Sequence, residues 1–192
     1  MSQPAVFFDR DGTLSREVGY VNHVRRIEAI SGGPEAVRRL NDAGIPVVIV
    51  SNQAGAARGY FPQSLIDEVN AELSRQYELK GAHFDAIYYC PHLKGSNVPE
   101  FDVECDCRKP KTGMVDQAAA ELDLDLWNSF MVGDKYSDAQ LGFAMNGKGI
   151  LVMTGYGRGE LQWFQESWDR MPDLIAEDLT DVVDYVLKNL GL

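Results

Sequence analysis

Two aspartates separated by one residue, Asp9 and Asp11, directly follow the apolar run AVFF at residues 5–8. Like charges this close repel each other, and burial at the end of a strand adds to the cost. A bound cation would offset this electrostatic cost, or a catalytic role would explain why the protein tolerates it. A carboxylate can attack phosphorus to form an aspartyl-phosphate, while a second carboxyl group protonates the leaving oxygen and then deprotonates water. We therefore predict Asp9 as a nucleophile and Asp11 as a general acid and base; the alternative is a solvated turn.

Two further fragments carry residues that could bind a phosphoryl group. Ser51 and Asn52 follow the apolar run PVVIV and could offer a hydroxyl and an amide to phosphoryl oxygens. Lys109 stands just before a helix-like pattern, whose N-terminal amides favour anions. Taken alone, the first pair is typical of a turn and the lysine of a solvated surface. Together with the aspartates, they predict a phosphate site.

A second acidic cluster follows the apolar run SFMVG. In GDKYSD, Asp134 and Asp138 stand four residues apart, and Lys135 lies beside the first. Alone, this pattern is typical of a helix N-cap with a charged first turn. Carboxylates gathered at strand ends also form the hard oxygen site that Mg²⁺ prefers. The sequence therefore predicts a Mg²⁺ site made by Asp9, Asp11 and Asp134.

All three cysteines belong to one constellation with a histidine. Cys90-x-His92 is followed, after twelve residues, by Cys105-x-Cys107. Three thiolates and an imidazole complete a tetrahedral Zn²⁺ shell and leave no position for water, so the zinc would be structural. It would brace the irregular segment 91–108. The one-residue spacers are shorter than usual, and free thiols beside a solvated histidine remain the alternative.

The elements that must position these residues alternate along the chain. Continuous apolar strands separated by helical patterns indicate a Rossmann-like α/β fold, with a parallel sheet covered by helices on both faces. Ligands of such sheets bind beyond the carboxyl ends of the strands, where the residues above fall. Segment 155–173 has no clear pattern. The predicted strands are 5–8, 46–50, 85–90, 129–133 and 149–153, and the predicted helices are 33–44, 63–79, 112–124 and 178–190.

Composition places limits on the class of protein. The 192 residues, 45% of them hydrophobic, suit a single domain, 1–192, with a full core. The net charge of -11 argues against general nucleic-acid binding, and no apolar run is long enough to span a bilayer. The N-terminus lacks the pattern of a signal peptide. We therefore expect a cytoplasmic protein that binds no membrane and no nucleic acid.

Four motifs resemble those of the haloacid dehalogenase superfamily in its phosphatase branch: FFDRDGT, VIVSNQ, RKPKTGM and MVGDKYSD. The resemblance covers nearly the whole chain and implies a Rossmann-like core, Mg²⁺ dependence and an aspartyl-phosphate mechanism. It matches Asp9 to the nucleophile, Asp11 to the general acid and base, Ser51 and Lys109 to phosphate-binding positions, Asp134 to a magnesium ligand and Asp138 to a supporting acid.

The cysteine loop is similar to that of a zinc-containing subgroup, the heptose bisphosphate phosphatases and related histidinol-phosphate phosphatases. The loop length and the sequence GYV after the first motif fit the heptose enzymes better. This resemblance implies substrate contacts by Gly19, Tyr20, Arg108 and Lys135, and we add Arg10 between the two aspartates. Thr112 stands where a proline is common, and residues 155–173 match nothing in the subgroup.

No segment is long enough for a separate cap domain, so we expect an open crevice and a monomer. Arg58 and Lys111 could extend a basic rim or be ordinary surface charges. The resulting hypothesis is a phosphatase that releases the C7 phosphate of a phosphorylated sugar, heptose 1,7-bisphosphate, for lipopolysaccharide or nucleotide-heptose synthesis. The alternatives are histidinol-phosphate hydrolysis and, in a different class, a non-catalytic zinc-braced binding module.

Overall fold

A six-stranded parallel sheet forms the centre of the protein in the computed structural model, which describes residues 2–192. The strand order is β3-β2-β1-β4-β5-β6. The chain adds β2 and β3 on one side of β1 and then adds β4, β5 and β6 on the other side. This change of direction leaves a crevice between the carboxyl ends of β1 and β4. The strands are β1 (Val6–Phe8), β2 (Val47–Asn52), β3 (Ala86–Cys90), β4 (Phe130–Gly133), β5 (Lys148–Val152) and β6 (Leu174–Ala176).

Helices cover both faces of this sheet, as predicted. The helices α1, α3 and α7 pack on one face, and α4 and α5 pack on the other. The central strand β1 is fully buried because Val6 and Phe8 point to the first layer while Phe7 points to the second. The helices are α1 (Gly33–Asp42), α2 (Ala54–Ala57), α3 (Ser64–Glu78), α4 (Gly113–Leu122), α5 (Tyr136–Ala144), α6 (Gly157–Phe164) and α7 (Leu179–Leu190).

The segment without a clear pattern, 155–173, folds over the start of α5. It contains α6 and a short 3-10 turn, and β6 follows it as a sixth strand that the sequence did not predict. The Trp168 ring stacks on Tyr136 with 4.5 Å between ring centroids and 3° between ring planes. The Tyr136 hydroxyl donates a hydrogen bond to the carbonyl of Arg170. These contacts fix the segment beside the crevice.

Two links could have held a cap domain, and neither does in residues 2–192. The chain between β1 and α1 contains one 3-10 turn, Val24–Arg26, and the chain between β3 and α4 contains another, Pro99–Phe101. Each link contains only this short turn as regular structure, so no cap domain covers the crevice, as predicted. None of the helices in the described chain combines the length and the apolar character needed to cross a bilayer.

Candidate active site

Asp9 lies at the floor of the crevice, immediately after β1, and is paired with a buried lysine. The Lys109 ammonium lies 2.8 Å from Asp9 Oδ1 and 2.7 Å from Asp138 Oδ1, and donates to the carbonyl of Val50. Burial opposes the charged form of this lysine, but the Asp138 and Asp9 carboxylates outweigh it and raise the pKa of Lys109. The lysine therefore stays protonated and neutralises part of the acidic cluster.

Asp134 follows β4 and completes that cluster. Its Oδ2 accepts a hydrogen bond of 2.8 Å from the backbone N–H of Tyr156, whereas its Oδ1 is buried and has no hydrogen-bond partner among residues 2–192. Burial and then the charge of Asp9 raise the pKa of Asp134 to about 8. Carboxylate oxygens of Asp9, Asp134 and Asp138 lie within 4.8 Å of one another. The unpartnered oxygen and the hard donor set fit a divalent cation such as Mg²⁺.

Two glycines make room for the Asp134 carboxylate. Gly12 and Gly155 both have positive φ values, 83° and 50°, and a Cβ on either would collide with that carboxylate. The Thr154 hydroxyl ties the two segments together by donating to the carbonyl of Gly12 at 2.6 Å. The turn after β1 and the turn after β5 therefore close around Asp134 from both sides.

Asp11 lies outside the carboxylate cluster, which differs from its predicted place as a side-chain magnesium ligand. Arg10 donates to both of its oxygens, at 3.1 and 2.7 Å, and Gln53 Nε2 donates to Oδ2 at 2.9 Å. Burial works against the charged carboxylate, but Arg10 and Gln53 outweigh it and lower the pKa of Asp11. These bonds hold the Asp11 side chain against the cleft wall, away from the Asp134 oxygens.

Arg10 does not reach the cleft, where we expected it to contact substrate. Its side chain is buried beneath the turn, and the guanidinium binds only protein groups. Ser51 is also buried, and its hydroxyl accepts a hydrogen bond from Gln53 Nε2 at 2.8 Å. Asn52 clamps the backbone of Lys109: it accepts from the lysine N–H at 3.0 Å and donates to the lysine carbonyl at 3.2 Å.

A cleft of about 420 Å³ is lined by Lys109, the partner of Asp9, and by most of the remaining predicted residues. Arg58, for which the sequence left open a basic rim or an ordinary surface charge, lines this cleft, whereas Lys111 donates a hydrogen bond to the carbonyl of Cys105. A larger hollow of about 720 Å³ lies beside Trp127, but no predicted site residue lines it. The predicted residues that line the cleft are Asp11, Gly19, Tyr20, Asn52, Arg108, Lys109 and Lys135.

The cleft carries positive charge that protein carboxylates do not neutralise directly. Within residues 2–192, no acidic side chain comes within 4 Å of Arg58, Arg108 or Lys135. Burial opposes the charged form of Lys135, but nearby carboxylates, Asp134 first, outweigh it and raise the pKa of this lysine. The Lys135 ammonium also sits over the Tyr156 ring, 4.7 Å from its centroid. Three cations therefore face a space that can hold an anion.

The cysteines and His92 meet in one compact cluster, as the spacing predicts. Cys107 Sγ lies 3.0 Å from Cys90 Sγ and 3.3 Å from His92 Nδ1, and Cys105 Sγ lies 3.5 Å from Cys90 Sγ. These separations exceed the 2.03–2.05 Å of a disulfide bond, and the cysteines are free. Three sulfurs and one imidazole nitrogen are the donor set of a closed structural zinc site.

The cysteine loop, residues 90–107, leads directly into the site. Lys109 follows Cys107 by two residues, and Arg108 between them donates to the carbonyl of His92 at 3.2 Å. The backbone of the lysine is held by Asn52 at the end of β2. The loop fold therefore determines where the two cations stand relative to Asp9.

Three contributors to this site were missed from the sequence. Tyr156 belongs to the segment without a pattern, so no periodicity marked it. Gln53 directly follows Ser51 and Asn52, and its position at a strand end was the available signal. Asn70 binds Arg10 from the middle of α3 at 2.9 Å, and no local pattern indicates a contact that spans sixty residues.

Comparisons with known proteins agree with this geometry. The model of the HAD-hydrolase-like family matches residues 106–182. A D-glycero-D-manno-heptose-1,7-bisphosphate 7-phosphatase of Thermosynechococcus vestitus is 44% identical, with 100% of this chain and 99% of that protein aligned. A D-glycero-beta-D-manno-heptose-1,7-bisphosphate 7-phosphatase of Escherichia coli strain K12 is 41% identical over 80% of this chain and 81% of its own length.

A solved structure gives the same result at the level of the fold. The D,D-heptose 1,7-bisphosphate phosphatase of B. bronchiseptica, crystallised with magnesium and phosphate, superposes with a TM-score of 0.84 at 30% identity. The alignment covers 97% of this chain and 99% of that one. The expectations of a phosphatase and of a Rossmann-like fold are therefore confirmed, and a non-catalytic module is not favoured. The chain belongs to the haloacid dehalogenase-like family of phosphatases.

Proposed function

We propose that this phosphatase removes the C7 phosphate of D-glycero-D-manno-heptose 1,7-bisphosphate through an aspartyl-phosphate on Asp9. The observation that carries the proposal is the pairing of Asp9 with the ammonium of Lys109, which lines a cleft whose walls also hold three cations without carboxylate partners. The names of relatives at 36–44% identity support the choice of substrate.

The chemistry follows from the order of the side chains. An Asp9 oxygen attacks phosphorus, and the bond between phosphorus and the C7 oxygen breaks. Asp11, on the cleft wall, gives a proton to that leaving oxygen after taking one up from solvent, because Arg10 and Gln53 lower its pKa and favour the ionised form. It later takes a proton from the water that hydrolyses the aspartyl-phosphate. Lys135 binds the phosphoryl oxygens, and Lys109, whose three N–H donors are directed at Asp9, Asp138 and the Val50 carbonyl, stabilises the developing charge through its own charge.

Two metals complete the proposal. Asp9 and Asp134 would hold Mg²⁺, which withdraws charge from the phosphoryl group when bound. We count Asp138 as a supporting acid because it already pairs with Lys109 and caps α5 through the N–H of Lys135. The three cysteines and His92 would hold a structural Zn²⁺, for which the donor set is suited.

A second phosphate explains the outer cations of the cleft. Lys135 and the charge of Lys109 serve the scissile group, and Arg58 and Arg108 add two further cations to the lining of the same cleft. Guanidinium groups bind phosphate with paired hydrogen bonds. Tyr20 and Tyr156 also line the cleft and offer flat apolar surfaces to a sugar between the two phosphates. The proposal therefore favours a sugar bisphosphate over a monophosphate.

The remaining features of the proposal concern the whole molecule. Residues 1–192 would act as one catalytic domain, and as a monomer, since one chain supplies every part of the site. The three thiols of the cysteine loop need a reducing compartment, which supports a cytoplasmic location. Size-exclusion chromatography with light scattering tests the monomer, and a mass of twice 21.4 kDa would contradict it.

The test of substrate is phosphate release by the purified protein with Mg²⁺, measured in parallel on heptose 1,7-bisphosphate and histidinol phosphate. A preference for the heptose of at least about a hundredfold in kcat/KM is expected, which corresponds to about 2.7 kcal/mol of transition-state discrimination. Asp9→Asn serves as the blank. A preference for histidinol phosphate would refute the assignment of substrate while leaving the phosphatase mechanism intact.

A further inference from the structure

Arg10 is among the largest fully buried side chains of residues 2–192, and the mechanism above does not use it. A buried guanidinium costs several kcal/mol unless its donors are paired. Arg10 Nε and Nη2 bond the two oxygens of Asp11, at 3.1 and 2.7 Å, in the paired geometry that fixes a carboxylate plane. With an exposure of 1%, Arg10 cannot contact a substrate directly.

Two amides from different parts of the chain complete the arrangement. Arg10 Nη1 donates to Asn70 Oδ1 at 2.9 Å, and Nη2 donates to Gln53 Oε1 at 2.8 Å. Gln53 Nε2 in turn donates to Asp11 Oδ2 at 2.9 Å. Asn70 comes from α3 and Gln53 from the end of β2, so the guanidinium is held from two directions.

We infer that Arg10, Gln53 and Asn70 are positioning residues that fix the Asp11 carboxyl group on the cleft wall, from which it takes part in proton transfer. The inference deepens the proposed function, since it rests on Asp11 as the general acid and base. Asp11 stands on a tight turn, and without these donors only a long hydrogen bond of 3.3 Å from the Ser15 hydroxyl to Oδ1 would restrain its carboxyl group within residues 2–192. Proton transfer needs a group within hydrogen-bond reach of the reacting oxygen, so a fixed plane favours it.

This role predicts a loss that depends on the leaving group. A sugar alkoxide needs a proton as it departs, whereas p-nitrophenolate leaves without one. The ratio kcat/KM reports only the steps up to release of the first product, which include protonation by Asp11 but not the later attack of water. A misplaced Asp11 therefore lowers kcat/KM for a sugar phosphate and spares p-nitrophenyl phosphate. A general loss of structure would lower both.

The test uses Arg10→Lys, which keeps the positive charge but removes the planar fork. Asn70→Ala is the second variant, because it removes a remote support without leaving a buried charge unpaired. Arg16→Ala is the matched control: Arg16 lies six residues from Arg10 in an exposed ion pair with Glu28. Zinc content and thermal unfolding establish that each variant is folded before kinetics are measured.

For Arg10→Lys, kcat/KM should fall at least about thirtyfold on heptose 1,7-bisphosphate and less than about threefold on p-nitrophenyl phosphate, within the usual range of general acid catalysis. Asn70→Ala should show the same selective loss at about fivefold or more, and it decides the question if the lysine variant does not fold. Equal losses on both substrates, or no loss in a folded variant, would overturn the inference. Fructose 1,6-bisphosphate serves as a second alkyl phosphate. If the wild type hydrolyses fructose 1,6-bisphosphate but not heptose 1,7-bisphosphate, only the proposed substrate is refuted, and the role of Arg10 can still be tested on the fructose substrate.

Discussion

Replacing Asp134 by asparagine should make the protein more stable when Mg²⁺ is absent, although this residue belongs to the proposed magnesium site. The carboxylate is fully buried, and its Oδ1 has no hydrogen-bond partner in the described chain. Burial and the neighbouring Asp9 raise the pKa of Asp134 from 3.8 to about 8. The folded state therefore holds a proton that the unfolded chain has already lost.

The size and the sign of this change in stability follow from the coupling between proton binding and folding. Between pH 4 and 8 the unfolded chain binds fewer protons than the folded protein, so the free energy of unfolding falls as pH rises. At pH 7, roughly three pH units above the ordinary value, the cost is about 4 kcal/mol at 1.36 kcal/mol per unit. Asparagine is neutral and can keep the bond from Tyr156, but its amide is still a polar group that folding removes from water. A gain of about half, 2 kcal/mol, corresponds to a rise in Tm of about 4–8 °C.

The assay is thermal and urea unfolding of zinc-loaded protein at pH 5 and 7.5, with and without Mg²⁺. Without Mg²⁺, the advantage of Asp134→Asn should grow from pH 5 to pH 7.5. At about one hundred times its Kd, Mg²⁺ should stabilise the wild type by about 2.7 kcal/mol and the variant far less. Asp169→Asn, an exposed site, controls for a change in net charge. A variant less stable than the wild type without Mg²⁺ would refute the reasoning.

Two further perturbations test the neighbouring features. Lys109→Met should lower the free energy of unfolding by about 3–5 kcal/mol, because it leaves Asp9 and Asp138 buried without their shared cation; urea unfolding measures this, and an effect equal to that of the exposed Lys80→Met would contradict it. Cys107→Ser should reduce zinc to well below one ion per chain by elemental analysis and lower Tm in parallel; unchanged stability in the zinc-free variant would argue against bracing by the metal.

Strong periodic patterns made the core of this fold predictable. The strands at 46–50 and 129–133 are continuous apolar runs, and α1 and α7 repeat apolar residues at helical spacing, so type and approximate bounds follow from local sequence. Strand β6 was missed because it has three residues and follows an irregular segment. Helix α6 was missed because GRGELQWF contains two glycines, which oppose a helix prediction.

The residues of the active site were likewise predictable where the local sequence determines their position and unpredictable where a long-range contact does. The sequence predicts Asp9 and Asp134 at the ends of strands and Lys109 just before a helix. In a parallel sheet these positions meet at one edge, so their proximity follows from the topology alone. The side-chain direction of Arg10 depends on Asn70, which lies in a helix on one face of the sheet, so its burial could not be deduced from the motif around it. Asn52 likewise serves the backbone of Lys109 through a contact that spans 57 residues.

The central claim is that Asp9 forms a covalent bond to phosphorus, and trapping that bond tests it most directly. Asp11→Asn protein, which keeps Asp9 but lacks the base for the second step, is mixed with p-nitrophenyl phosphate and quenched in acid within one turnover. Peptide mass spectrometry should find one phosphoryl group on Asp9, and neutral hydroxylamine should remove it. Two results would contradict the account. One is phosphate release by the wild type when no phosphorylated Asp9 is found in the quenched samples, and the other is a phosphoryl group on a different residue.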